Sequence, residues 1–122
     1  MLHSLNNNRM NTIQILAIGR NPDILKTVIN LINKNPEWSG FGALTDEEAI
    51  QLSSNNRFDL FLLTNGIDEY SEQKLRSAFL ADHPDSIIIQ HYGGGSGLLT
   101  GEILHALMTK KQKQFNGLSE SI

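Results

Sequence analysis

Residues 12–23 read TIQILAIGRNPD. Thr12–Ile18 is short, β-branched and almost wholly apolar, the composition of a strand buried on both faces. Gly19 and Arg20 break it. Asn21 then offers a side-chain oxygen to the free amides that open a helix. Pro22 brings a φ suited to the first helical position, and Asp23 complements the positive end of the helix dipole. Leu25, Val28, Ile29 and Ile32 follow at i, i+3, i+4 and i+7, which predicts an amphipathic helix ending near Lys34-Asn35-Pro36. A doubly buried strand running straight into such a helix predicts a parallel sheet covered by helices.

The rest of the chain repeats the alternation. Ser39–Leu44 is a weaker strand near an edge, carrying two glycines, with Phe41 and Ala43 on one face. Thr45 and Glu48 have capping-box spacing, and the helix they open carries Ala49, Ile50 and Leu52 to about Asn55-Asn56. Phe58–Leu63 is a strong strand ended by Thr64-Asn65-Gly66. A helix from about Ser71 to Ala81 buries Leu75, Ala78 and Phe79, and Pro84 stops it. Ser86–His91 is the last strand. Tyr92 and the run Gly93-Gly94-Gly95-Ser96-Gly97 lead into a final helix from Leu98 to about Lys113, with Leu99, Ile103 and Leu107 on one face. The order β-α-β-α-β-α-β-α predicts an open, doubly wound α/β sandwich of four strands with right-handed crossovers. One domain is expected over 12–113, between a flexible arm at 1–11 and a frayed tail at 114–122.

Composition excludes several classes. The 122 residues carry 10 Lys+Arg against 13 Asp+Glu, a formal charge of -3, so there is no broad electrostatic case for nucleic acid or an acidic membrane. The chain has no cysteine, which removes disulfides, zinc–thiolate sites and thiol catalysis together. No apolar run exceeds four residues, far short of a membrane span. The Asn-rich N-terminus lacks the apolar segment of a secretory signal, so a cytoplasmic location is expected. Lys110-Lys111-Gln112-Lys113 reads as a complement to the negative end of the last helix rather than a nucleic-acid contact.

The stretch Arg57-Phe58-Asp59-Leu60-Phe61-Leu62-Leu63 resembles the third strand of response-regulator receiver domains, where an acidic residue opens an apolar strand ending in the phospho-accepting Asp. The resemblance spans Ile13 to His91 and implies a flavodoxin-like, receiver-like three-layer sandwich with an open parallel sheet in order 2-1-3-4. It also implies a loss of chemistry. Thr64 stands at the position of the phospho-acceptor, Gly19 and Arg20 at that of the acidic pair after the first strand, and His91 at that of the switch Ser or Thr. A fifth strand with its lysine is missing. Aspartyl phosphorylation needs a carboxylate nucleophile and Mg²⁺ held by further carboxylates, and these positions offer neither.

In open α/β sheets, ligands bind beyond the carboxyl ends of the strands where the strand order reverses. The loops arriving there bring Arg20, Asn21, Thr64 and Asn65, with Thr45 and Asp46 beside them. His91 and Gly93, Gly94, Gly95, Ser96 and Gly97 come from the other flank. A cation, amide and hydroxyl groups, an imidazole and backbone N–H groups make these ten residues a candidate site for an anion or small polar ligand. The glycine run is neither a Walker A motif nor G-x-G-x-x-G, and a flexible turn replacing a lost βα unit accounts for it equally. His91 and His105 are too far apart in sequence for a common metal motif, and Ser96 lacks a base in order. No catalytic residue, metal or cofactor is assigned.

The reading that follows is a non-catalytic pseudo-receiver, a signalling or protein-interaction module that is not an enzyme. Without a fifth strand, Ile87 and Ile89 lie in an exposed apolar edge strand that invites pairing, so a homodimer shielding that strand or the last helix is expected. The alternative is a small phosphate- or nucleotide-binding protein using the Gly93–Gly97 loop.

Overall fold

The computed structural model describes residues 12–93 and 96–120. Four strands and four helices alternate: β1 (Ile13–Ile18), α1 (Pro22–Asn33), β2 (Trp38–Ala43), α2 (Asp46–Asn55), β3 (Leu60–Leu63), α3 (Glu69–Asp82), β4 (Ile87–Gln90) and α4 (Ser96–Glu120). All strands are parallel, in the order β2-β1-β3-β4.

Strand alternation divides the core into two layers. Ile15, Ala17, Leu60 and Leu62 face one side, where they meet Leu25, Val28 and Ile32 of α1 and Leu99 and Ile103 of α4. Leu16, Ile18, Phe61 and Leu63 face the other, against Ala49 of α2 and Leu75 and Phe79 of α3. Both central strands are therefore buried on both faces, which is why they read as continuous apolar runs. Phe61 and Phe79 stack with ring centroids 3.9 Å apart and planes 8° from parallel.

The local signals act as expected. Asn21 Oδ1 accepts from the Asp23 and Ile24 amides at 2.9 and 3.1 Å, capping α1. Thr45 Oγ1 accepts from the Glu48 amide at 3.1 Å, while Glu48 Oε1 reaches back to the Leu44 amide at 2.9 Å. The glycines of β2 serve packing: a Cβ at Gly40 would come within 2.9 Å of Ile32 Cγ2, and one at Gly42 would overlap Ile29 Cδ1. α1 lies close on the sheet because β2 is bare there.

Several boundaries differ from the sequence reading, β2 and β4 by one residue at each end. Phe58 and Asp59 precede β3 rather than opening it. Asp59 pairs with the start of β1, its amide donating to the Gln14 carbonyl and its Oδ2 accepting from the Gln14 amide, both at 2.8 Å. α3 begins at Glu69, because Asp68 Oδ1 takes the Ser71 amide at 2.8 Å and caps a turn earlier. Within α3, Ala78 is half-buried; Leu75 and Phe79 fill the core. α4 starts at Ser96, and its helical backbone runs past Lys113 to Glu120, with no proline to stop it. Residues 114–120 continue α4, and the basic run at 110–113 lies within the helix rather than at its end. The arm at 1–11 lies outside the described residues.

Candidate functional site

The carboxyl ends of the strands gather the sequence's candidates, but several are engaged by neighbouring backbone or side chains. Thr64 follows β3 and is 8% exposed. Its Oγ1 donates to the Ile18 carbonyl at 2.9 Å, and its own amide donates to the same oxygen at 2.9 Å. The hydroxyl is turned inward, over Gly19, where a Cβ would overlap it. Thr64 and Gly19 thus form a closed junction between β1 and β3.

Arg20 is held in the same way. Its Nη1 donates to the Leu44 carbonyl at 3.0 Å and its Nη2 to Asp46 Oδ1 at 2.5 Å. Ser71 Oγ donates to the other carboxylate oxygen, Oδ2, at 2.7 Å. Burial acts to raise the Asp46 pKa. The hydrogen bonds from Ser71 and Arg20, with the charges of Arg20 and Lys74, outweigh that and hold it below the ordinary carboxylate value. The guanidinium is therefore held by the end of β2 and the start of α2. Sequence reasoning placed Asp46 near this rim and stopped at its capping role; Ser71 carried no signal, since its hydroxyl meets Asp46 only after α3 docks.

On the other flank, His91 is 6% exposed and its amide continues the ladder to the Leu63 carbonyl at 2.8 Å. Its Nδ1 lies 2.5 Å from Glu102 Oε1 on α4. Because a carboxylate only accepts, Nδ1 carries the proton and Nε2 is the remaining ring nitrogen. Asn65 Nδ2 donates to the Tyr92 carbonyl at 3.2 Å, tying the loop after β3 to the loop after β4. Gly93 has φ of +104°, a backbone conformation that L side chains rarely adopt. A cleft of about 270 Å³ opens between α1 and α4, lined by Ile24, Leu31, Asn65, His91, Gly93 and Leu99 among others.

The described candidates fall into separate surroundings. Arg20 belongs to a cluster with Asp46 and Ser71 on the α2–α3 side of the rim. Asn21 is consumed by its cap. Thr64, Asn65, His91 and Gly93 line the cleft together. Ser96 and Gly97 begin α4, and Gly94 and Gly95 lie outside the described residues. Ile87 and Ile89 are half-buried and pack against the α1–α4 layer. Among the described residues no three His, Asp or Glu side chains gather as metal ligands, and no helix is long and apolar enough to cross a membrane.

No family model matches the chain, and no curated protein matches it. Solved structures do. The signal receiver domain of an HD domain-containing protein from Pseudomonas fluorescens Pf-5 superposes with a TM-score of 0.60 at 18% identity, over 86% of this chain and 98% of that one. A pilus assembly-related protein from Burkholderia pseudomallei K96243 superposes with a TM-score of 0.56 at 13% identity, over 79% of this chain and 73% of that one. The fold is that of a receiver domain: a parallel sheet in order 2-1-3-4 with helices on both faces.

Proposed function

We propose that this chain, built on the receiver fold, is a non-catalytic signalling and interaction module that accepts no phosphate on aspartate. The observation that carries the reading is the closed junction at the end of β3. Where a receiver presents a carboxylate to solvent and Mg²⁺, Thr64 turns its hydroxyl inward onto the Ile18 carbonyl. The nearest carboxylate to Arg20, Asp46, is bonded on both oxygens by Arg20 and Ser71. Both groups are committed to holding strands and helices together, which supports a scaffold role at this rim.

The test is incubation with a small acyl phosphate and Mg²⁺, read by intact mass and by the amide spectrum. Unchanged mass and unmoved resonances for Gly19, Arg20 and Thr64 are expected. A stoichiometric phosphoryl adduct on any aspartate would overturn the reading.

A second reading, a small phosphate- or nucleotide-binding protein using residues 93–97, is favoured by the cleft beside His91 and the left-handed Gly93. The one cation expected to serve such a ligand, Arg20, is bonded elsewhere. Thermal shifts with inorganic phosphate and with nucleotides discriminate the two. Stabilisation by about 2.7 kcal/mol at a hundredfold excess over Kd marks real binding.

A further inference from the structure

β4 closes the sheet on one side, and its outer edge carries what a partner strand requires. Ile87 and His91 donate their amides to the Asp59 and Leu63 carbonyls at 3.1 and 2.8 Å. Backbone groups alternate along a strand, so Ile88 and Gln90 turn theirs to the open side. Residues 86–91 read SIIIQH, with none of the lysine, acidic or proline residues that commonly blunt an edge. α4 flanks this edge and leaves a groove of about 690 Å³, floored by Ile87 and Ile89 and walled by His105 and Ala106.

Both ends of that groove carry charged side chains. Glu102 stands at the carboxyl end of β4, bonded to His91. Lys110 and Asp85 stand at the amino end, beside Pro84 and Ser86. A surface of this kind is complementary to its own reversed copy.

We propose that β4 pairs antiparallel with β4 of a second copy of this chain, about a two-fold axis at Ile89, joining two sheets into one. This register sets Ile88 against Gln90 of the other copy twice, so outward backbone meets outward backbone. The two Ile89 side chains meet on the α4 face. Lys110 of each copy is brought toward Glu102 of the other, because eight helical residues span about 12 Å and four strand residues about 13 Å. Asp85 falls level with Gly93 of the second copy, ahead of the N-terminus of α4, where a carboxylate is favoured. The proposal names the partner of the interaction module and rests on that reading.

The chain has no cysteine, so Ile89→Cys introduces a single thiol. Residues facing each other without backbone hydrogen bonds have Cα atoms about 4.5 Å apart, within disulfide reach. Size exclusion with light scattering is expected to give twice 13.6 kDa for the wild type. Lys110→Glu, which sets like charges across the axis, is expected to weaken the dimer roughly tenfold. Oxidised I89C is expected to run as a covalent dimer. A monomer at every concentration overturns the proposal, as does a dimer that ignores K110E while I89C stays uncrosslinked. If I89C fails to fold, K110E still decides, since Lys110 belongs to neither core layer. Mass is blind to phosphate chemistry: a monomer that also takes no phosphate overturns this proposal and leaves the proposed function standing.

Discussion

Gly19 and Thr64 share one volume: the Thr64 hydroxyl, donating to the Ile18 carbonyl at 2.9 Å, occupies the space that a Cβ on Gly19 would need. The pair explains why a glycine ends β1 and why the residue after β3 points inward. Gly19→Ala is expected to destabilise the fold by about 1–3 kcal/mol through overpacking. Thr64→Ala leaves no orphaned acceptor, because the Thr64 amide still donates to Ile18. In that background Gly19→Ala is expected to turn neutral or stabilising by about 0.4–1 kcal/mol, from the stiffer unfolded chain. Equilibrium urea unfolding of the four variants measures the coupling, and additive effects would contradict the shared volume.

The Arg20–Asp46–Ser71 cluster gives acid stability a defined shape. The Asp46 pKa is lowered in the folded state, while the unfolded value lies at about 3.9. Its contribution is therefore complete above about pH 4 and is lost as pH falls through the depressed folded value. Asp46→Asn is expected to cost about 1–3 kcal/mol at neutral pH, towards the lower end because the Arg20 side chain is 33% exposed. The gap between wild type and D46N, followed by urea midpoints, is expected to hold from pH 7 to about pH 5 and to narrow in stronger acid. A gap that widens on acidification would remove Asp46 from the cluster's energetics.

Glu102 orients His91, so two replacements separate geometry from charge. Glu102→Ala leaves a buried ring nitrogen without its partner and is expected to cost about 1–3 kcal/mol. Glu102→Gln keeps an acceptor and is expected to cost clearly less. Long-range nitrogen–proton correlation of the imidazole is expected to show the proton on Nδ1 in the wild type. The Nε2-protonated form there would refute the contact as described.

In the α2–α3 layer the stacked pair Phe61 and Phe79 ties α3 to the sheet. Phe79→Ala is expected to cost about 3–5 kcal/mol, and Phe79→Leu considerably less. Thermal or chemical unfolding of the two variants is the check; a loss under 1 kcal/mol for the alanine would mean that α3 repacks without the ring.

Much of the fold was legible in the residues. The runs Ile15–Ile18 and Leu60–Leu63 are strands buried on both faces, and caps at Asn21 and Thr45 start helices where their spacing says. The cap at Asp68 was passed over because Tyr70 and Ser71 show no apolar period, so the first turn of α3 looked like loop. Much less of the candidate site was legible. Arg20 reads as a free cation because Asp23, the acid nearest it in sequence, serves the start of α1, yet Asp46 lies opposite it across the rim.

What the sequence determined by itself was everything carried by near neighbours: which segments are strand or helix, their alternation, their caps, and hence a parallel α/β sandwich. Those signals act over one to four residues, through alternation, helical period and single hydrogen bonds to adjacent amides. What only the tertiary structure decided was who holds whom at the strand ends: Thr64 on Ile18, Arg20 on Asp46, Glu102 on His91, and Gly19 beneath Thr64. Each of these joins elements brought together by the sheet, and a side chain's partner there depends on strand register and helix docking. The same docking leaves the outer backbone of β4 without a neighbouring strand among the described residues.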